Sequence, residues 1–393
     1  MKTLFLSLML LISSLSSAMS IDEIIQHSLS KSPSLESINK RIKANEKSIE
    51  IAGQYANPEL SLVRNTLNSS QAMSKTVLTL KQKIPYPSKL NAREEIQRAE
   101  DGILKAKLTD AKVKLVEKMK LEAYNIWQFN ELLNIVEKYI SLTQQNIEIF
   151  ESYVSGGSNQ HMGIMKAKLS LSDLQIKKRV LHAQLDAAYA RLSYLAAFGV
   201  EKLTINLQIT TKPNLQELKK SLLSNTLLGI KEKELHKKSA NTKLATINNY
   251  PDLTLIGGVA YRENFDNYYN LGFALSLPMY GTEDKQEQRS RIEQLVVSSE
   301  KEDISLQIDA KLKAYYARML SSYDIYHIVQ DDALPQVEHM FELSNASIST
   351  GSDLFEYIDV LFDKLKLEIQ SINAVANYSR AKAQIQALTG ALQ

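Results

Sequence analysis

The chain has 393 residues, 47 Lys and Arg against 44 Asp and Glu, a formal net charge of +3 and no cysteine. The charge is mild and mixed along the chain, which excludes a basic nucleic-acid surface. Without a thiol, neither a disulfide framework nor a lipid-anchored cysteine is expected.

The N-terminus reads as a secretory signal. Lys2 supplies the positive start, Leu4 to Ile12 an apolar core too short to span a membrane, and Ser16-Ser17-Ala18 a small-residue cleavage site after Ala18. Cleavage after Ser20 fits the same pattern. No later stretch approaches 18 consecutive apolar residues, which excludes membrane-crossing helices.

From there the elements come in order. A helical stretch over 21–55 is followed by two alternating segments, Pro58 to Thr66 and Lys75 to Ile84. A long helical stretch covers 89–154, where Ile96, Ala99, Ile103 and Ala106 keep three- and four-residue steps. The Gly157-Ser158 turn then leads to a helix ending at Gly199. The same order returns over 214–248, in strands around 252–262 and 270–277, over 282–348, and after Gly351-Ser352 up to Gly390. Pro85 recurs as Pro278, and Leu29, Ser32 and Leu35 match Leu222, Asn225 and Leu228, at a nearly constant offset of about 193 residues. The expected organisation is a signal peptide over 1–18 and two copies of one unit, 19–200 and 201–393. Pro335 should kink or end the second long helix.

The strands alternate. Leu60 and Leu62 share a face, as do Leu78, Leu80 and Ile84, while Thr79, Lys81 and Lys83 take the other side. Leu253, Leu255, Val259 and Tyr261, then Leu271, Phe273 and Leu275, repeat the pattern. Such runs, separated by polar loops, suit an outer-membrane barrel. Four strands cannot close one, and open edges in hydrocarbon leave backbone groups unpaired at several kcal/mol each. Sister copies must complete the ring, and three copies would supply twelve strands.

In this order and spacing the sequence resembles the TolC family of outer-membrane efflux proteins over essentially its whole mature length. The likeness rests on the repeat and on Pro58 and Pro251 before the strands, with Pro85 and Pro278 after them. It also rests on Leu334-Pro335 upstream of Gly351, on Leu354 through Leu361, and on the terminal Leu388-Thr389-Gly390. The Gly157 to Met165 region is closest to the heavy-metal, CzcC-like branch, although many of those relatives carry a lipidated cysteine that this chain lacks. The resemblance implies a mainly α fold with a small β part: long antiparallel helices forming a periplasmic α-barrel, and four strands given to a trimeric 12-stranded outer-membrane β-barrel. It implies a homotrimer in outer-membrane lipid that docks to a periplasmic adaptor (a membrane fusion protein) and an inner-membrane pump of the RND type. The implied activity is passive exit of solutes, heavy-metal cations first, with drugs or type I secretion substrates as alternatives.

By the same resemblance, the turns at Gly157 and Gly351 mark the periplasmic tip. Asp353, Glu356 and Asp359 are the candidate gate carboxylates, which in a trimer would form cation-attracting rings. Acids favoured at a solvated helix start are the plainer reading. His161, Met162 and Met165 offer imidazole and thioethers to a soft metal such as Cu(I) or Ag(I), or simple helix packing. His27, His182, His236, His327 and His339 form no metal motif. Neither a nucleophile motif nor a phosphate loop is present, and Gly257-Gly258 lies inside a strand, so no enzyme and no cofactor is expected. A soluble periplasmic adaptor of helical hairpins is the rival from a different class.

Overall fold

The structure, a computed structural model, describes residues 19–66, 73–153, 158–348 and 354–391. Its first element, β1 (Met19–Ser20), leads into α1 (Ile21–Lys31). Ser20 and Glu23 form a capping box there, the Glu23 N–H donating to the Ser20 hydroxyl and the Ser20 N–H to the Glu23 carboxylate at 2.8 Å. Helix α1 stops at Ser32 because Pro33 forces the residue before it into extended backbone. Pro33 then opens α2 (Pro33–Ala52), where its missing N–H is no loss.

Next come β2 (Glu59–Arg64), β3 (Lys75–Ile84), α3 (Pro87–Tyr153) and α4 (Ser158–Ala196). At 67 residues, α3 is about 100 Å long. The order recurs after β4 (Leu203–Thr204), which pairs in parallel with β1. The recurrence comprises α5 (Leu215–Ser221), a 3₁₀ turn (Leu222–Ser224), α6 (Thr226–Ile247), β5 (Leu253–Arg262), β6 (Tyr268–Leu275) and α7 (Thr282–His327). A π-helical stretch (Ile328–Ala333), α8 (Leu334–Ile348) and α9 (Leu354–Leu388) complete it.

Two expectations are corrected here, and a third is met. The helices expected over 21–55 and 214–248 are each broken, at Ser32 and at Asn225, the two residues that the repeat pairs. Asn225 caps α6 by accepting from the Leu227 and Leu228 N–H groups. The stretch expected over 282–348 is interrupted as Pro335 requires. Proline cannot donate to the Asp331 carbonyl and its ring crowds it, so the preceding turn widens and the Leu334 N–H bonds to the Val329 carbonyl.

The described residues fall into two compact units, and each draws on both halves of the sequence. One contains α1, the later part of α3, α4, the end of α7, α8 and α9. In it α4 runs against α3, through Lys168–Glu151, Lys178–Glu137 and Arg191–Glu122. Helix α9 also runs against α3, through Asn146–Tyr357, Gln128–Asn373 and Lys120–Gln386. Helix α8 runs against α9, through Glu338–Lys364. Such surface pairs contribute at most about 1 kcal/mol each. Burial of Val136, Tyr139, Ala167, Ile358 and Leu361 in one shared cluster supplies the larger stabilisation.

The second unit contains α2, the start of α3, α6, the start of α7 and a sheet ordered β2-β3-β5-β6, antiparallel throughout. Lys243–Glu95 and Lys237–Glu100 tie α6 to α3, and Lys238–Glu293 and Lys231–Glu300 tie it to α7.

Candidate functional site: an open two-faced sheet and a helical tip

Register decides what the sheet can do, because residues directly opposed across an antiparallel pair share a face. One row reads Leu60, Leu80, Gly257, Leu271, and another Leu62, Leu78, Val259, Tyr269. Leu255 opposes Phe273 on the same face. The other face carries Glu59, Lys81, Ile256 and Gly272 in one row and Ser61, Thr79, Gly258 and Asn270 in the next. The alternation expected from sequence is therefore carried across all four strands, with Val63, Val77, Ile256, Ala260 and Ala274 as apolar exceptions on the polar side. The apolar face is bare: Leu62 is 69% exposed, Phe273 71% and Leu271 92%. Among the described residues, strands β2 and β6 are each paired on one side only, so both sheet edges are open. The strands differ in length from the expected runs. Strand β2 has 6 residues, and β6 starts at Tyr268, inside the expected loop.

Where the strands meet the helices, a buried ionic cluster forms. The Lys89 ammonium, on the first turn of α3, donates to the Asp252 carboxylate at 2.8 Å and to the Tyr250 carbonyl at 2.7 Å. The Tyr86 N–H donates to the same carboxylate at 3.2 Å, and Lys83 lies 3.4 Å from its other oxygen. Tyr86 stacks on Tyr250 with ring centroids 4.7 Å apart. Burial pushes the Asp252 carboxyl up, but hydrogen bonds from Lys89, Tyr86 and Lys83 outweigh it and hold the group below its ordinary range. Sequence reading placed position 252 only at the start of a strand and did not single out Lys89. The available signal was an acid directly after Pro251 and a lysine two residues after Pro87, at the two strand–helix junctions.

Of the positions expected at the tip, Gly157, Gly351 and Asp353 lie outside the described residues. Glu356 and Asp359 both stand exposed on α9. Glu356 lines a cleft of about 240 Å³ with Met340, Leu343, Ser344 and Val360. Asp359 accepts a hydrogen bond from Lys166 of α4, a partner that sequence spacing did not reveal. Asp363, exposed seven residues after Glu356, continues the acidic stripe and was also missed. His161, Met162 and Met165 are exposed on one side of α4, each thioether-bearing residue at 63%. Among the described residues, no group of three or more His, Asp or Glu side chains could hold a metal ion.

No protein-family model matches the chain, and no curated protein matches it by sequence. Solved structures do. The chain is similar to CusC, a structure described in terms of folding and transmembrane channel formation, at 16% identity, with 95% of this chain and 92% of that one covered and a TM-score of 0.80. It is similar to the outer membrane protein VceC of Vibrio cholerae at 13% identity, with 95% and 97% covered and a TM-score of 0.79. It is similar to the open state of the MtrE outer membrane channel of Neisseria gonorrhoeae at 13% identity, with 94% and 89% covered and a TM-score of 0.78. At these identities the likeness establishes the fold. The chain has the TolC-like architecture, mainly α with a small β part, as expected.

Proposed function

We propose that this chain is one protomer of an outer-membrane exit duct that moves solute passively and has no enzymatic activity. The observation that carries this reading is the sheet, with one face bare and aliphatic, the other largely polar, and both edges open. A soluble adaptor has no use for such a face, whereas hydrocarbon accepts it and a closed ring of copies satisfies the edges. Three copies make a 12-stranded barrel around a polar lumen, as the fold shared with outer-membrane channels supports. In this reading residues 1–18 are a signal peptide, and 19–200 and 201–393 are two copies of one unit. The helices stand in the periplasm, where an adaptor and an RND-type pump deliver the cargo.

The gate belongs to the tip turns at Gly157 and Gly351. Asp353, Glu356 and Asp359 form its acidic rings, and Asp363 extends them. Heavy-metal cations are the favoured cargo, supported by the exposed acids and by His161, Met162 and Met165 on one side of α4. Drugs or secreted polypeptides are the alternative, and sensitivity of a deletion strain to Ag(I) or Cu(I) separates them.

The test of the duct itself is reconstitution. Purified full-length protein should need detergent for extraction, run as a trimer and conduct ions in discrete steps across a planar lipid film. A monomer soluble without detergent and silent in the film would overturn the reading.

A further inference from the structure

A cleft of about 640 Å³ lies between the end of α7 and α9. Helix α7 lines it with Arg318, Ser321 and Ser322, and α9 with Asn377, Arg380 and Gln384, each set at the spacing of one helix face. Its apolar lining is Ala317, Ile325 and Ala381, and the two alanines leave the space between the helices unfilled. The lining contains no Asp or Glu.

Neutral groups hold Arg380 in place. Its Nη1 donates to the Asn125 and Gln128 side-chain oxygens at 2.8 and 2.7 Å, and its Nη2 to that of Asn377 at 2.8 Å. That leaves the Nε–H and one Nη2–H without a partner among the described residues. An acid enters this network only behind Asn125, as Glu122, which already pairs with Arg191 at 2.9 Å. Burial disfavours the Arg380 charge and pushes its pKa down, yet a guanidinium stays protonated at neutral pH.

The other polar lining groups are free as well. The side chains of Arg318, Ser321, Ser322 and Gln384 form no hydrogen bond or ion pair among the described residues, although Ser322 is only 6% exposed. Bonds from Gln330 to Ser371 and from Lys364 to Glu338 fix an antiparallel register. That register sets Ser321 level with Arg380 and places Arg318 within about one turn of it.

We infer that this cleft binds a small organic anion, whose carboxylate or phosphate group is held by Arg380 and Arg318. A partly buried cation among neutral neighbours is stabilised by a charge of opposite sign. Guanidinium groups present paired donors to such oxyanions, and Ser321, Ser322 and Gln384 can add further hydrogen bonds. The volume falls in the range of about 300–1,000 Å³ usual for small-molecule sites. Ala317, Ile325 and Ala381 suit the organic body of the ligand.

Calorimetric titration of the full-length protein in neutral detergent tests the site. Glycerol 3-phosphate or citrate should bind, and glycerol should not. Arg318→Gln, at an exposed residue with no partner to lose, should weaken the anion by about tenfold. Ala317→Phe should abolish binding by filling the cleft without changing its charge. Short-chain phosphatidic acid separates two sources of the same chemistry: tighter, Arg318-dependent binding supports a lipid headgroup, and weaker binding a free solute. Heat from neither anion, equal heat from glycerol, or unchanged affinity in Arg318→Gln overturns the site. The duct reading is tested separately, because a protein that conducts across a lipid film and binds neither anion loses this site alone.

Discussion

Lys89 and Asp252 stand 163 positions apart in sequence yet share a 2.8 Å hydrogen bond with both side chains nearly dry. Breaking a buried pair typically costs about 3–5 kcal/mol, with the low end expected here because Lys83 and the Tyr86 N–H still face Asp252. Lys89→Met should therefore lower the thermal midpoint in detergent strongly, and Lys89→Met with Asp252→Leu should recover much of the loss. A single variant as stable as the parent would show the pair to be dispensable.

The same carboxylate fixes a pH response. Its folded pKa lies below the ordinary 3.8, so its stabilisation is fully present above that value and is lost as the pH falls through the lower, folded one. Acid unfolding below about pH 4 should be less steep in Asp252→Asn than in the parent. Chemical denaturation across an acid series measures this directly.

Adjacent residues of β6 should respond oppositely to the same substitution. Leu271 lies on the bare face and Asn270 on the polar one. If the sheet is seated in lipid as proposed, a lysine near the midplane costs about 2–4 kcal/mol, and Leu271→Lys should cut recovery in outer-membrane fractions sharply. Asn270→Lys should fold normally and shift the ion selectivity of the conductance instead.

A related contrast exists in β5. A Cβ at Gly258 would meet the Leu78 carbonyl oxygen at 3.1 Å, a backbone atom with little room to yield, whereas at Gly257 the nearest atom is the Leu271 Cδ2 at 3.9 Å. Gly258→Val should disturb the β3–β5 pairing and lower heat resistance of the assembled protein, while Gly257→Ala should be close to neutral on a denaturing gel.

The Lys166–Asp359 pair is half open to water, with Asp359 54% exposed. Exposed pairs contribute about 0–1 kcal/mol, so Asp359→Asn should barely change stability. If the carboxylate acts on cargo, the variant's single-channel cation preference should fall. Unchanged selectivity would reduce Asp359 to a solvated helix-start acid.

Much of this was legible in the chain before any coordinates. The period-two segments gave Lys75 to Ile84 with its observed limits, because alternation and flanking prolines act locally. Pro335 announced the irregular turn before it for the same reason. What sequence concealed was either a break inside a continuous helical pattern or a contact across large separation. Ser32-Pro33 was passed over although the proline rule applies there, since the apolar spacing continues on both sides. Lys89 with Asp252, and Lys166 with Asp359, depend on which elements become neighbours, and no local pattern encodes that. Arg380 is similar: its guanidinium reaches Asn125 and Gln128 more than 250 positions away.

Strands β3 and β5 have 10 residues each. At about 3.3 Å per residue and the usual tilt of about 40°, that length rises roughly 25 Å. An average hydrocarbon layer is about 30 Å. Seated as proposed, the sheet is therefore matched to a thin bilayer, and thick ones would have to compress around it. Lipids with short acyl chains should accept the protein more readily than long-chain ones, so membrane thickness itself would help sort this chain to its destination.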